Sequence, residues 1–196
     1  YNFKLGERAI IKNINFQGNK IFKDSKLRNV IKSEEGKFWK FLTSDKYLDE
    51  RKIKIDEDLL RNYYKNKGFY NVNIKSSYAK NINNKFFELN FNIDAGIKYY
   101  FKNINLDLDD DFDENNFKNI KIITNSLIGK KYSQKKLDNI LDEINKIALE
   151  KEFVFVDVNY DLNIADENKI IVDLKFKDLE KFYVEQINIF GNFITE

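Results

Sequence analysis

The chain of 196 residues contains no histidine, cysteine, methionine or proline. Without histidine or cysteine it lacks the commonest general acid–base, the commonest zinc ligand and the thiol nucleophile. No disulfide can form, so stability has to come from packing. No apolar run approaches the roughly 20 residues of a membrane-spanning helix, and no basic-then-apolar leader segment is present. Neither charge sign dominates: 34 Lys and Arg face 32 Asp and Glu, a net +2. A near-neutral chain has no strong field to draw in nucleic acid or anionic lipid. A glycine-rich phosphate loop and a serine–base arrangement are also missing. The expectation is therefore a protein that is not an enzyme and takes no cofactor.

Aromatic and aliphatic residues are plentiful. Hydrophobic residues make up 42%, with 18 Phe and 11 Tyr, more than a disordered chain would carry. One short phrase then recurs three times, as Lys12, Asn13, Ile14, Asn15, Phe16, then Lys102, Asn103, Ile104, Asn105, Leu106, then Glu185, Gln186, Ile187, Asn188, Ile189. Its isoleucines Ile14, Ile104 and Ile187 lie 90 and 83 positions apart. Self-similarity at such a period marks a tandem of small domains rather than the rungs of a solenoid. The expected division is a tail of a preceding unit at 1–6, full modules at 7–96 and 97–179, and the start of a next unit at 180–196.

Within the first module, Ile10, Lys12, Ile14 and Phe16 open a half-buried strand that Gly18 and Asn19 break. Asp24 or Ser25 is expected to cap a short helix carrying Leu27, Val30 and Ile31. A longer helix is predicted over 50–67, with Ile53, Leu59, Leu60, Tyr63 and Tyr64 as its stripe and Gly68 as its terminator at C′. Residues 69–80 and 87–93 alternate and are separated by an asparagine-rich turn, so they read as a hairpin. The second module repeats this order. It has a strand over 99–108, a weakly marked helix over 114–123, and a stronger helix capped by Ser133 with Leu137, Ile140, Leu141, Ile144 and Ile147. A hairpin follows, from Phe153 onward. Ile170, Val172, Leu174 and Phe176 answer Phe87, Leu89, Phe91 and Ile93 at a constant offset of 83. The predicted fold class is α+β, each module running strand–helix–helix–strand–strand with two helices packed on a three-stranded mixed sheet.

Three features make the chain resemble POTRA domains, the periplasmic modules of the Omp85 family. They are Ile14, Phe16, Gly18 and Asn19; the run Leu60, Tyr63, Tyr64, Gly68 and Phe69; and Ile93, Asp94, Ala95 and Gly96. The stretch over 38–47 is similar to the aromatic insert of a third module in the family's outer-membrane assembly members. The resemblance implies third- and fourth-like modules. The second module departs from the pattern, with Asp109, Asp110 and Asp111 beyond its strand, Glu152 where glycine is usual, and Lys177, Asp178 and Leu179 at its junction. The resemblance further implies a periplasmic scaffold of a Gram-negative outer-membrane protein. Its partners would be unfolded β-barrel precursors, accessory lipoproteins and the protein's own membrane barrel, with no nucleic acid. A two-partner secretion transporter of the same family is an alternative. A cytoplasmic adaptor binding nucleic acid or protein is an alternative of another class.

Candidate contact residues follow from exposure arguments. Phe38 and Trp39 form either a partner-binding patch or rings folded back onto their own module. Tyr70, Asn71, Val72, Asn73, Ile74 and Lys75 lie on a hairpin strand that could accept another strand if it forms the sheet edge. Phe155, Val156 and Val158 lie on its counterpart. The cluster of Asp107, Asp109, Asp110, Asp111 and Asp113 lacks the glycine and closing glutamate of a calcium loop and is expected to be a solvated loop that starts a helix. Modest contacts at the junctions near Gly96 and Leu179 make hinge motion between modules the expectation.

Overall fold

The computed structural model describes residues 9–18, 21–36, 46–80, 86–110, 112–153 and 156–178. Its elements fall into two successive sets. The first holds β1 (Ile10–Gln17), α1 (Asp24–Arg28), α2 (Glu50–Lys65), β2 (Asn73–Lys80) and β3 (Phe86–Asp94). The second holds β4 (Tyr100–Leu108), a 3-10 turn (Glu114–Phe117), α3 (Lys118–Leu127), α4 (Gln134–Glu150), β5 (Val156–Asp166) and β6 (Lys169–Asp178). Each set builds one three-stranded mixed sheet, in the orders β1-β3-β2 and β4-β6-β5. The last strand of each module lies in the middle, parallel to the first and antiparallel to the hairpin partner. The α+β class and the strand–helix–helix–strand–strand order stand as predicted.

The central strands show why the alternation was so regular. A middle strand with helices on one face buries every second side chain. Leu89, Phe91 and Ile93 on β3, and Ile170, Val172, Leu174 and Phe176 on β6, are all buried. They meet Ile53, Leu60 and Tyr64 of α2 in one core, and Leu137, Ile140 and Ile144 of α4 in the other. At the usual 25 cal/mol per Å² of apolar area, each of these large side chains contributes about 1.5–3 kcal/mol.

Several local expectations are corrected. The strand predicted from Phe69 begins only at Asn73. Phe69 and Val72 are buried because the chain turns between them, with the Val72 amide donating to the Phe69 carbonyl (3.3 Å). Helix α1 has Lys23 at its N-cap position with no side-chain cap, and Asp24 falls inside its first turn. Helix α2 ends at Lys65 with Asn66 as C-cap, so Gly68 (φ 104°) reverses the chain one residue later than C′. The weakly marked segment resolves into the 3-10 turn and α3. Asp113 starts it by accepting from the Asn115 amide (2.9 Å), which uses the acidic loop as a cap.

The modules meet through side chains that belong to both. Ser133 stands at the N-cap of α4 but accepts no helix amide. Asn66, from the end of α2, does so instead: its Oδ1 accepts from the Lys135 amide (2.8 Å) and from the Ser133 hydroxyl (3.3 Å). Next to it the Gly68 carbonyl accepts from the Tyr99 amide (2.8 Å), and Asn71 Nδ2 donates to the Tyr99 hydroxyl (2.8 Å). The Tyr70 ring lies 5.2 Å from that of Tyr132 and 5.9 Å from that of Tyr99, edge-on to both, and packs on the second core. A β-carbon at residue 68 would sit 2.7 Å from Lys98 Cγ, so this elbow requires glycine for space as well as for φ.

Candidate functional site

Each sheet has two outer edges, and in each module one of them is occupied. Along β1 the Ile11 amide donates to the Lys46 carbonyl and the Ile11 carbonyl accepts from the Gly36 amide, both at 2.8 Å. The Ala9 carbonyl accepts from Leu48 (2.9 Å). A register shift lies between Ile11 and Asn13, and beyond it the backbone groups of Ile14 face the outer edge while its side chain stays buried. Its amide donates to Glu35 Oε1 (3.1 Å) and its carbonyl accepts from Arg28 Nη2 (2.6 Å), and Arg28 and Glu35 form an ion pair with each other. These two side chains stand where a neighbouring strand's backbone would be. Along β4 the Phe101 amide donates to Lys130 (2.9 Å), its carbonyl accepts from Gly129 (2.8 Å), and the Tyr99 carbonyl accepts from Tyr132 (2.9 Å). The opposite edges, β2 and β5, pair with no further strand among the described residues. They are the places where another strand could add.

The candidate residues divide accordingly. Asn73, Ile74 and Lys75 lie on β2, with Ile74 buried toward the helices and Asn73 and Lys75 exposed. Tyr70, Asn71 and Val72 are not edge-strand residues: Tyr70 and Asn71 face the second module and Val72 faces the first core. Val156 and Val158 lie on β5, half-buried against their own core, so they present backbone rather than side chain at the edge. Phe38, Trp39 and Phe155 lie outside the described residues.

One residue that periodicity passed over sits at the β2 edge. Glu57 of α2 is buried, as is Asp56 beside it, although both read as polar interruptions of the stripe. Asp56 accepts the Lys32 amide (2.6 Å) and the Ser33 amide (3.1 Å), tying the segment after α1 to α2. Glu57 Oε1 accepts the Ser76 amide of β2 (2.7 Å), and its Oε2 lies 3.1 Å from Lys54 Nζ. Burial would raise the Glu57 carboxyl, but bonds from the Ser76 hydroxyl and amide, with Lys54, hold it below the ordinary carboxylate value. The equivalent residue 84 positions on is Leu141, which packs on the second core. A comparison of the two repeats position by position could have singled out Glu57; hydropathy alone could not.

Residues 9–96 match the family model described as "POTRA: Surface antigen variable number repeat". Among curated proteins the chain is 22% identical over 189 residues to the outer membrane protein assembly factor BamA of Neisseria meningitidis serogroup B, covering 95% of this chain and 24% of that protein. It is 26% identical over 103 residues to BamA of Neorickettsia risticii, covering 53% of this chain and 14% of the relative. The chain thus spans about a quarter or less of the curated relatives it matches. Among solved structures it is similar to the POTRA3-5 region of Haemophilus influenzae BamA, with a TM-score of 0.68 and 16% identity over 98% of this chain and 77% of that one. The fold is that of tandem POTRA modules.

Proposed function

We propose that this tandem of POTRA-type modules is the periplasmic region of a BamA-like outer-membrane assembly factor, a scaffold rather than an enzyme. Its full modules span 7–96 and 97–179 and correspond to the third and fourth of the array. They receive unfolded β-barrel precursors by strand addition and offer docking surface to accessory lipoproteins. The single observation carrying this reading is the asymmetry of the edges. Backbone and an ion pair occupy β1 and backbone occupies β4, while β2 and β5 pair with no further strand among the described residues. Strand addition reads main-chain groups and tolerates many sequences, as a carrier of diverse precursors requires. It needs no cofactor.

Backbone NMR shift mapping tests the reading, with a peptide from an unfolded β-barrel protein and a scrambled control added to the labelled chain. Shifts concentrated on β2 or β5 are expected. Shifts confined to the helices, or none at millimolar peptide, would recast the two modules as spacers or lipoprotein docks.

A further inference from the structure

The two open edges are not equivalent. In an antiparallel pair the amides alternate between the partner strand and the outside. The Ser76 amide reaches Glu57 rather than β3, so the backbone groups of Ile74 and Tyr78, two residues either side, face outward as well. Ser76 is therefore the second of four outward positions along β2, at 74, 76, 78 and 80, and its donor is already taken. Position 160 is its counterpart, since Ser76 pairs with Phe91 and Tyr160 with Leu174. There the helix supplies Leu141, and among the described residues no side chain accepts from an outward amide of β5.

We propose that Glu57 guards the β2 edge, holding the Ser76 amide until the carbonyl of an incoming strand displaces it. The inference rests on the strand-addition reading and specifies how one of its two edges is regulated. A single N–H cannot serve both acceptors at full strength, so pairing along the whole of β2 requires Glu57 to let go. The released carboxylate keeps a partner, because Lys54 lies one turn away on the solvent side of α2 with its side chain 68% exposed. Bonds from neutral donors to a charged acceptor are about twice as strong as neutral ones. The guard therefore selects for strands that form many bonds at once, and short or poorly matched segments are left to β5.

The test titrates the labelled full chain with a short synthetic peptide of alternating apolar and polar residues, following amide shifts on β2 and β5 separately. Glu57→Leu, which copies the second module, is expected to bind at β2 about tenfold more tightly, the factor set by removing one charge-assisted bond. Affinity at β5 stays unchanged and serves as the internal reference. Glu57→Gln, which keeps the shape and loses the charge, is expected to fall between the two and decides the matter if the leucine variant does not fold. Equal β2 affinity in wild type and variants overturns the guard and leaves strand addition standing. A gain of equal size at both edges also overturns it, as the mark of a loosened fold. Silence at both edges in every protein overturns strand addition and the guard together.

Discussion

Glu57 and Leu141 occupy the same turn of two equivalent helices, yet one satisfies a strand amide and the other fills a core. The carboxylate holds the strand amide most strongly while ionised, which gives the first module a pH signature. Its folded-state value is held below the ordinary one, so ionised Glu57 stabilises the fold above the unfolded-state value. That contribution disappears as pH falls through the lowered folded-state value. Urea unfolding of wild type and Glu57→Gln at neutral pH and at about pH 3 checks this. Wild type is expected to be the more stable at neutral pH and to lose that lead on acidification. A lead that persists undiminished in acid would show that the carboxylate's charge contributes nothing. The buried phenols of Tyr64 and Tyr132 act at the other extreme. Burial pushes both well above the ordinary phenol value, so they hold stability that fades as pH rises past about 10.

At the scale of elements, the two modules solve the same turn after their long helices in different ways. Gly68 has φ +104°, and its counterpart Glu152 adopts φ +56° with a side chain that disfavours it. Left-handed backbone costs a residue bearing a β-carbon roughly 1 kcal/mol. Glu152→Gly is therefore expected to raise stability by about 0.5–1 kcal/mol, the gain reduced by the larger unfolded-state entropy of glycine. Gly68→Ala is expected to lower it by more than about 1 kcal/mol, since the new methyl also meets Lys98. Equilibrium denaturation of both variants gives the two signs, and a loss from Glu152→Gly would contradict the account. Elements of this kind were largely legible in the sequence. The alternation of β3 and β6 was plain because each is a central strand with one buried face. Residues 69–72 misled because Tyr70, Val72 and Ile74 alternate with Asn71 and Asn73 in the sequence as a strand would, whereas the turn buries Phe69 and Val72 in the first core and sets Tyr70 and Asn71 against the second module. Asp56 and Glu57 hid because carboxylates bound to backbone amides look the same in a sequence as solvated ones. Which edges lie open was not legible either, since it depends on strand order and on distant groups such as Arg28, Glu35 and Lys46.

For the whole molecule, the junction decides whether two modules behave as one. Hinge motion was the expectation from short charged links, but Asn66, Gly68, Tyr70 and Asn71 all make contacts across the boundary. Removing a helix cap costs about 1 kcal/mol, and truncating a half-buried ring about 2 kcal/mol, below the range for a fully buried one. Calorimetry of the wild type is expected to show one unfolding transition, with van't Hoff and calorimetric enthalpies in agreement. The double variant Asn66→Ala/Tyr70→Ala is expected to separate it into two. Two well-resolved transitions already in the wild type would mean that the contacts do not couple the modules.

The elbow also bears on how such arrays are inherited. The repeat in the sequence starts a new unit after Gly96, but the Tyr70 ring, the Asn66 cap of α4 and the Gly68 that admits Lys98 all come from upstream of it. A second module transplanted from residue 97 into another array would arrive with a bare helix end and with Tyr99 and Tyr132 uncovered. It would work only where its new neighbour happened to supply an asparagine and an aromatic at the matching positions. The structural unit of the second module is therefore staggered against its sequence repeat, drawing its helix cap and ring cover from residues 66–70.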